Sequence, residues 1–163
     1  MVSFRGFKKW LRFRQLERDL RNIAVGINST VDFAEDRHIV MLDYDTDDFK
    51  KVKRSVEELQ RFWKLSDFFI FRTKHGYHAL GFYDHIPYGR LRMIIEFARD
   101  VDLLYKYISR YHNHRTLRVI GKHKLRDIEF VTLLQGVRTP TKQEFEIGEL
   151  KRKEHMVMIG VNY

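Results

Sequence analysis

Short apolar runs separated by charged segments predict five β-strands in the central part of the chain. The runs HIVML at 38–42, FFIFR at 68–72 and HALGFY at 78–83 are built from apolar and aromatic residues, a composition typical of buried strands. A glycine-containing turn joins the second run to the third, so these two are expected to form a hairpin. Two further strands are predicted at 116–120 and at about 127–134.

Three other segments repeat their apolar residues every three or four positions, which is the period of an α-helix. They cover about 47–64, about 87–99 and about 102–113. Thr46 is the predicted N-cap of the first helix, and Pro87 suits the first turn of the second.

The two ends of the chain are expected to flank a central core. Residues 7–25 place Arg and Lys between apolar residues at near-helical spacing, which predicts a basic amphipathic helix. The C-terminal runs EFEIGEL and HMVMIGV predict a hairpin. We therefore expect a single domain with a basic N-terminal helical extension at 1–37, a core at 38–136 and a C-terminal β-hairpin at 137–163.

Strand, helix, hairpin, helix and strand in this order predict an α+β fold. The expected architecture is an RRM-like two-layer sandwich, in which helices pack on one face of a mostly antiparallel sheet with βαββαβ order. A ligand is expected on the open face of that sheet. With 163 residues, 44% of them apolar, the chain is long enough to bury one core of this kind.

Composition narrows the chemistry that the chain can carry. The absence of cysteine excludes disulfides, thiol nucleophiles and cysteine-based metal sites. No apolar run approaches the roughly 18 residues of a membrane span, and basic residues interrupt every apolar run near the N-terminus, so neither a membrane partner nor a signal peptide is expected. We expect the protein to stay in the cytoplasm.

The charge of the chain is unevenly distributed. Lys and Arg number 31 against 22 Asp and Glu, a net charge of +9, which favours a polyanionic partner. Residues 1–30 carry seven basic and two acidic residues, and 103–126 carry seven basic residues and no acid, whereas 31–60 carry nine acids and five bases. Carboxylates inside a basic protein suit a divalent cation that faces a phosphate substrate.

Asp43 and Asp45 form the first candidate site, because they follow an apolar strand at alternate positions. Alternate strand residues point to the same face, about 7 Å apart at the backbone. Their oxygen atoms suit Mg²⁺ or Mn²⁺, although a strand that simply runs into an acidic helix cap would have the same pattern.

Phosphate-binding candidates occur in two later segments. The turn that carries Thr73, Lys74 and His78 offers a hydroxyl group, a cation and backbone N–H groups. The strand and turn at 115–124 carry closely spaced basic residues that suit phosphate or nucleic-acid backbone contacts. Nucleic-acid contacts are therefore predicted for the basic residues of the N-terminal segment and of the acid-free segment, namely Lys8, Lys9, Arg12, Arg14, Arg110, Arg115 and Lys122.

The order of these motifs resembles the catalytic core of the archaeo-eukaryotic primase superfamily, the primase-polymerases. The resemblance covers about residues 38–125 and consists of Asp-x-Asp after an apolar strand, a histidine after a Thr/Gly turn, a hydrophobic-Asp pair and a basic strand. It implies metal-dependent nucleotidyl transfer on a nucleic-acid template, most readily DNA, with nucleoside triphosphates as substrates and Mg²⁺ or Mn²⁺ as cofactor. It assigns Asp43, Asp45 and Asp102 as catalytic metal ligands, His78 as a nucleotide contact, and Arg118 and Lys124 as phosphate binders. Together with Thr73 and Lys74 of the turn, these last three are the predicted nucleotide-binding residues.

The sequence departs from the family pattern at the histidine motif. Gly76 stands where the family usually has a serine two positions before the histidine, so a hydroxyl group would have to come from Thr73. The absence of cysteine excludes a cysteine-based zinc module, and no accessory domain is expected in these 163 residues. Other replication proteins are candidate partners.

Two other readings of the sequence stay open. One is a catalytically inactive, primase-fold protein that binds nucleic acid in replication. The other is a replication initiator or relaxase, a class that uses a His-hydrophobe-His motif. Its only counterpart here is His112-Asn113-His114, which has a polar middle residue and lies at a predicted helix end.

Overall fold

A computed structural model describes residues 25–32, 34–120 and 128–160. Within these ranges the chain forms seven strands and four helices. The strands are β1 (Val25–Asn28), β2 (Thr30–Asp32), β3 (Arg37–Tyr44), β4 (Phe68–Arg72), β5 (Tyr77–Ile86), β6 (Thr116–Ile120) and β7 (Glu129–Leu134). The helices are α1 (Phe49–Trp63), α2 (Tyr88–Phe97), α3 (Leu103–Ser109) and α4 (Lys142–Met158).

The strands form two antiparallel sheets. The main sheet has the order β2-β3-β5-β4-β7, and β1 pairs with β6 in a separate two-stranded sheet, which we call the ribbon. The predicted α+β class and mostly antiparallel sheet are confirmed. From β3 to β6 the elements follow the predicted βαββαβ order except that two helices, α2 and α3, separate β5 from β6. The last strand of this series joins β1 in the ribbon instead of the main sheet.

Helices cover both faces of the main sheet. On one face the hydroxyl groups of Tyr44 in β3 and Ser55 in α1 lie 3.1 Å apart. The cross-strand pairs of Asp43 with His78, and of His78 with Phe71, place these three side chains on the opposite face. There His155 of α4 packs edge-on against Phe71, with ring centroids 4.5 Å apart. The core therefore extends on both sides of the sheet.

The predicted C-terminal β-hairpin at 137–163 is wrong, because residues 142–158 form helix α4. A capping box starts the helix: the Thr141 hydroxyl accepts from the Glu144 backbone N–H, and the Glu144 carboxylate accepts from the Thr141 N–H. Buried Gly148 packs against β5, where an added Cβ would lie 2.6 Å from the Phe82 carbonyl oxygen. The first apolar run, and the second as far as Met158, are turns of this helix.

Two predictions nearer the N-terminus also need correction. The predicted helical extension at 1–37 contains strands β1 and β2, which the helical pattern did not indicate. The first helix begins two residues later than expected. Its N-cap is Asp48, whose carboxylate accepts from the N–H groups of Lys50 and Lys51, whereas Thr46 precedes the cap. The predicted helix at 7–25 lies outside the described residues, except for its last residue, which begins β1.

The described residues include no helix long and apolar enough to cross a membrane.

His155 is a fully buried imidazole in the apolar contact between α4 and the main sheet. Neither of its ring nitrogens has a hydrogen-bond partner among the described residues. Burial lowers the pKa of His155 from 6.5 to about 4, because the charged form is poorly solvated there. The folded protein therefore keeps this imidazole neutral at pH values where the unfolded chain protonates it.

We expect the free energy of unfolding to fall as the pH is lowered from about 6.5 to about 4. The unfolded chain binds the extra proton in this window, so His155 contributes a loss on the order of 3 kcal/mol. His155→Leu should flatten this part of the profile. Urea unfolding of both proteins between pH 4 and pH 8 measures the difference, and identical slopes would contradict the assignment.

Candidate functional site

A cleft of about 560 Å³ opens where β3 ends, between the main sheet and the ribbon. Four segments of the chain supply its polar lining: the end of β3, the turn between β4 and β5 with the start of β5, the residue before α3, and the start of β6 with the residue before it. These polar residues are Asp43, Asp45, Thr73, Lys74, His75, His78, Asp102, Arg115, Thr116 and Arg118. Carboxylates and basic side chains thus face the same space.

Most of the candidate residues come together in this cleft. All three predicted metal ligands line it, as do the four predicted nucleotide-binding residues that the structure describes, Thr73, Lys74, His78 and Arg118. Of the predicted nucleic-acid contacts, Arg115 also lines the cleft. Lys8, Lys9, Arg12, Arg14, Lys122 and Lys124 lie outside the described residues.

Arg110 lies away from the cleft lining. Its guanidinium donates to both carboxylate oxygens of Glu96, at 2.7 and 3.0 Å. The histidines of the relaxase-like motif, His112 and His114, lie in the turn after α3 and are not among the residues that line the cleft. This placement does not support the relaxase hypothesis, because the two histidines neither lie on a strand nor line the cleft that contains the aspartates.

Backbone pairing brings Asp43 and Asp102 together. The Asp102 N–H donates to the Asp43 carbonyl oxygen at 2.8 Å, which holds the start of α3 against the end of β3. Asp102 is the N-cap of α3, and one of its carboxylate oxygens accepts from the Tyr105 N–H at 2.6 Å. The Tyr105 hydroxyl then donates to the Met41 carbonyl oxygen, two residues before Asp43 on β3. These contacts fix the position of the Asp102 side chain at the cleft.

Asp43 is a carboxylate of the cleft with a raised pKa. Burial, followed by the nearby charges of Asp102 and Asp45, raises the pKa of Asp43 from 3.8 to about 6, against the opposing effect of Arg115. Asp43 is therefore close enough to Asp102 and Asp45 to be repelled by both. A cation in the cleft would relieve this repulsion.

The donor set fits a hard divalent cation such as Mg²⁺ or Mn²⁺, because its donors are carboxylate oxygens. Within the described ranges no three His, Asp or Glu side chains are gathered closely enough to form a complete metal site. Mg²⁺ is commonly held by one or two carboxylates together with substrate phosphates and water. The carboxylates therefore fit a cation that binds with its substrate better than an all-protein cage.

His78 lies beside these carboxylates but is almost wholly buried. Its Nε2 is 3.6 Å from an Asp43 carboxylate oxygen, and its Nδ1 has no hydrogen-bond partner in the described parts of the chain. Burial, followed by the nearby His155, lowers the pKa of His78 from 6.5 to about 3. The side chain is a neutral imidazole at physiological pH, able to donate or accept a hydrogen bond but not to act as a cation.

The turn before β5 lies directly against the end of β3. A Cβ atom added to Gly76 would lie 1.8 Å from the Tyr44 carbonyl oxygen and 3.0 Å from the Thr46 nitrogen. The Thr73 N–H closes the turn by donating to the Gly76 carbonyl oxygen at 2.9 Å. This close approach leaves no room for a side chain at position 76. Thr73 lines the cleft and offers a hydroxyl group there.

Arg115 is more deeply placed in the cleft than its sequence context indicated. Its side chain is buried, its guanidinium lies 4.0 Å from the centre of the Tyr105 ring, and its Nε has no hydrogen-bond partner among the residues described. A buried cation with an unused donor, next to a cleft, is suited to an anionic ligand.

A chain of hydrogen bonds holds the backbone of Arg115. Its N–H donates to the Ser29 hydroxyl, and its carbonyl oxygen accepts from the Ser29 N–H. The Ser29 hydroxyl lies 3.0 Å from His38 Nδ1, and His38 Nε2 lies 2.9 Å from an Asp36 carboxylate oxygen. The order resembles a Ser-His-Asp triad, but Ser29 is completely buried, so no substrate reaches it. These residues position the wall that carries Arg115.

Comparisons of the chain with protein-family models, with curated protein sequences and with solved structures gave no match.

The contact between Gly76 and β3 predicts a large difference between two glycine substitutions. Gly76→Ala should destabilise the protein by about 1–3 kcal/mol or more, because a backbone carbonyl would have to move. Gly89→Ala is the matched control: no atom lies within 4 Å of an added Cβ in this helical residue, so stability should be unchanged or rise by about 0.5–1 kcal/mol. Urea unfolding measures both, and equal stabilities of the two variants would contradict the contact.

Proposed function

We propose that the protein is a metal-dependent nucleotidyltransferase that extends or starts a strand on a nucleic-acid template, in the manner of the primase-polymerases. The observation that carries this proposal is the cleft itself. Residues from four separate segments, selected in the sequence for metal or phosphate binding, line one cavity. The proposal extends to nucleoside triphosphates as substrates and to a nucleic acid as template.

Asp43, Asp45 and Asp102 are the residues that would hold Mg²⁺ or Mn²⁺. When bound, such a cation supplies charge stabilisation for the transfer of a phosphoryl group. In the reaction class proposed here, the 3′-hydroxyl oxygen of a strand forms a bond to the α-phosphorus of a nucleoside triphosphate, its proton is lost, and pyrophosphate leaves. The chain's own contribution is to bring Asp102, at the start of α3, beside the two aspartates at the end of β3.

Basic and hydroxyl side chains of the same cleft would bind the triphosphate. Lys74, Arg115 and Arg118 offer positive charge, and Thr73 offers a hydroxyl group near the turn. On β6 the side chain of Arg118 is exposed between buried Leu117 and Val119, so it is free to reach a ligand. Neutral His78 can contribute a hydrogen bond to a phosphate oxygen without adding charge.

A second candidate function is nucleic-acid binding without catalysis. The net charge of +9 and the acid-free segment at 103–126 favour a polyanion whether or not the carboxylates act. The two proposals share strongly salt-dependent binding and differ in the requirement for the three aspartates.

Primer synthesis and extension assays with Mg²⁺ or Mn²⁺ test the catalytic proposal. Asp43→Asn and Asp45→Asn should each reduce activity at least about a hundredfold, because metal-assisted charge stabilisation is worth several kcal/mol. Asp100→Asn is the matched control. It removes the same charge two residues from Asp102 but lies outside the cleft lining, and asparagine tolerates its positive φ of 59°.

Full activity of the Asp43 and Asp45 variants would remove the metal assignment. If the parent protein binds nucleic acid but transfers no nucleotide with either metal, the non-catalytic function replaces the catalytic one.

The cleft also predicts that triphosphate binding and template binding depend on different residues. Arg118→Ala should weaken nucleoside triphosphate binding about tenfold to a hundredfold, the usual cost of one charge-assisted contact, and leave template binding nearly intact. Lys8→Ala in the basic N-terminal segment should do the reverse. Titration calorimetry with nucleotide and fluorescence anisotropy with an oligonucleotide measure the two affinities. If both variants weaken template binding equally and neither changes nucleotide binding, the prediction that the two ligands depend on different residues is wrong.

A further inference from the structure

Helix α3 and the turn after it expose a group of large apolar and aromatic side chains. We call these residues the α3 patch: Leu103, Leu104, Tyr107 and Tyr111, which are 80%, 63%, 54% and 67% exposed. Positions three and four apart on a helix are neighbours, so these side chains form a continuous surface. Contiguous apolar surface of this kind marks an interaction site more often than chance.

The two tyrosines of the patch lie side by side. The centroids of the Tyr107 and Tyr111 rings are 5.0 Å apart, and the ring planes are inclined by 54°. The Tyr111 N–H donates to the Ile108 carbonyl oxygen at 3.1 Å, which keeps the second ring close to the helix end. Both rings present surface to solvent, so a planar ligand can stack on them.

The patch adjoins the candidate active site. Leu104, a member of the patch, and Ile108, from the next turn of the same helix, line the cleft. Asp102, one of the three carboxylates, caps the N-terminus of α3. A chain-like ligand that leaves the cleft across α3 would therefore meet the tyrosines.

The charge around the patch favours a polyanion. Residues 103–120 contain four basic residues and no acid. Arg110 is paired with Glu96 and Lys106 donates to backbone carbonyl oxygens, whereas Arg115 and Arg118 line the cleft next to α3. Leucines alone would suit many partners. Paired exposed tyrosines within a basic segment are the combination that binds single-stranded nucleic acid, in which aromatic rings stack on bases and basic residues follow the backbone.

We propose that Tyr107 and Tyr111 form a base-stacking platform for a single strand of nucleic acid that enters the cleft. This inference rests on the proposed function in one respect: it assumes that the nucleic-acid strand runs into the cleft. It adds the surface that holds the bases and a preference for single strands, because a duplex keeps its base faces stacked on one another.

Fluorescence anisotropy with a labelled single-stranded oligonucleotide of mixed sequence, over a range of salt concentrations, tests the platform. Tyr107→Ala and Tyr111→Ala should each weaken binding about fivefold to a hundredfold, the usual effect of losing one base–aromatic stack. The dependence of affinity on salt should keep its slope, because no phosphate contact is removed. Tyr107→Phe and Tyr111→Phe keep the ring and should bind like the parent.

Two controls separate stacking from a general loss of apolar surface. Leu150→Ala removes a comparably exposed side chain from α4 and should leave binding unchanged. The corresponding duplex should bind more weakly than the single strand and respond little to the tyrosine substitutions. Binding of Mn²⁺ and nucleoside triphosphate should be the same in the alanine variants as in the parent, because the platform does not hold the triphosphate.

Several results would overturn the inference. One is a Tyr107→Ala/Tyr111→Ala double variant that binds the single strand as tightly as the parent does, and another is a loss of single-strand affinity in the phenylalanine variants equal to that in the alanine variants. Two more would assign the tyrosines to another partner: binding to phosphatidylserine vesicles, instead of oligonucleotides, that requires the tyrosines, or self-association of the parent that the alanine variants alone lose. If the parent binds nucleotide but its affinity for the single strand is unchanged by the tyrosine substitutions, the platform alone is rejected. A parent that binds neither nucleotide nor oligonucleotide would reject the proposed function as well.

Discussion

The antiparallel register of β3 against β5 is the constraint on which the cleft depends. It sets Asp43 opposite His78 on one face of the main sheet and leaves Tyr44 facing α1 on the other. A slip of one residue would turn Asp43 towards α1 and remove it from the cleft. Gly76 protects the register, because the turn before β5 can touch the end of β3 only where a side chain is missing. The site thus depends on a backbone contact as much as on its charged groups.

The sequence predicted those parts of the fold that are set by local pattern. Strands β4 and β6 were located to the residue because continuous apolar runs or clear alternation mark them. Helix α4 was missed because its runs of apolar residues resembled strands. Thr141 and Glu144 form a capping-box motif, which indicates the start of a helix and can be recognised in the sequence. Strand β1 was missed because its pairing partner, β6, is far away in the sequence, and no local pattern reports such a partner.

The same division applies to the candidate site. Asp43 and Asp45 could be selected from their spacing after an apolar strand, and Thr73 and Lys74 from the turn. The depth of Arg115 could not be anticipated, because it results from Tyr105 and from hydrogen bonds to Ser29, which the fold brings together from distant segments. Long-range packing, rather than residue type, decides whether a basic side chain is a surface charge or part of a cleft.

The two walls of the cleft belong to separate sheets, which has a consequence for local stability. Asp43 lies on the five-stranded sheet, whereas Arg118 lies on a two-stranded ribbon whose strands are separated in the sequence by residues 29–115. A two-stranded sheet has little stability of its own and depends on what it packs against. The ribbon is therefore the element expected to open first and to exchange its amide hydrogens soonest. An anion that contacts both the ribbon and the main sheet would stabilise the ribbon against opening. Its binding would therefore slow the exchange of amide hydrogens in β1 and β6.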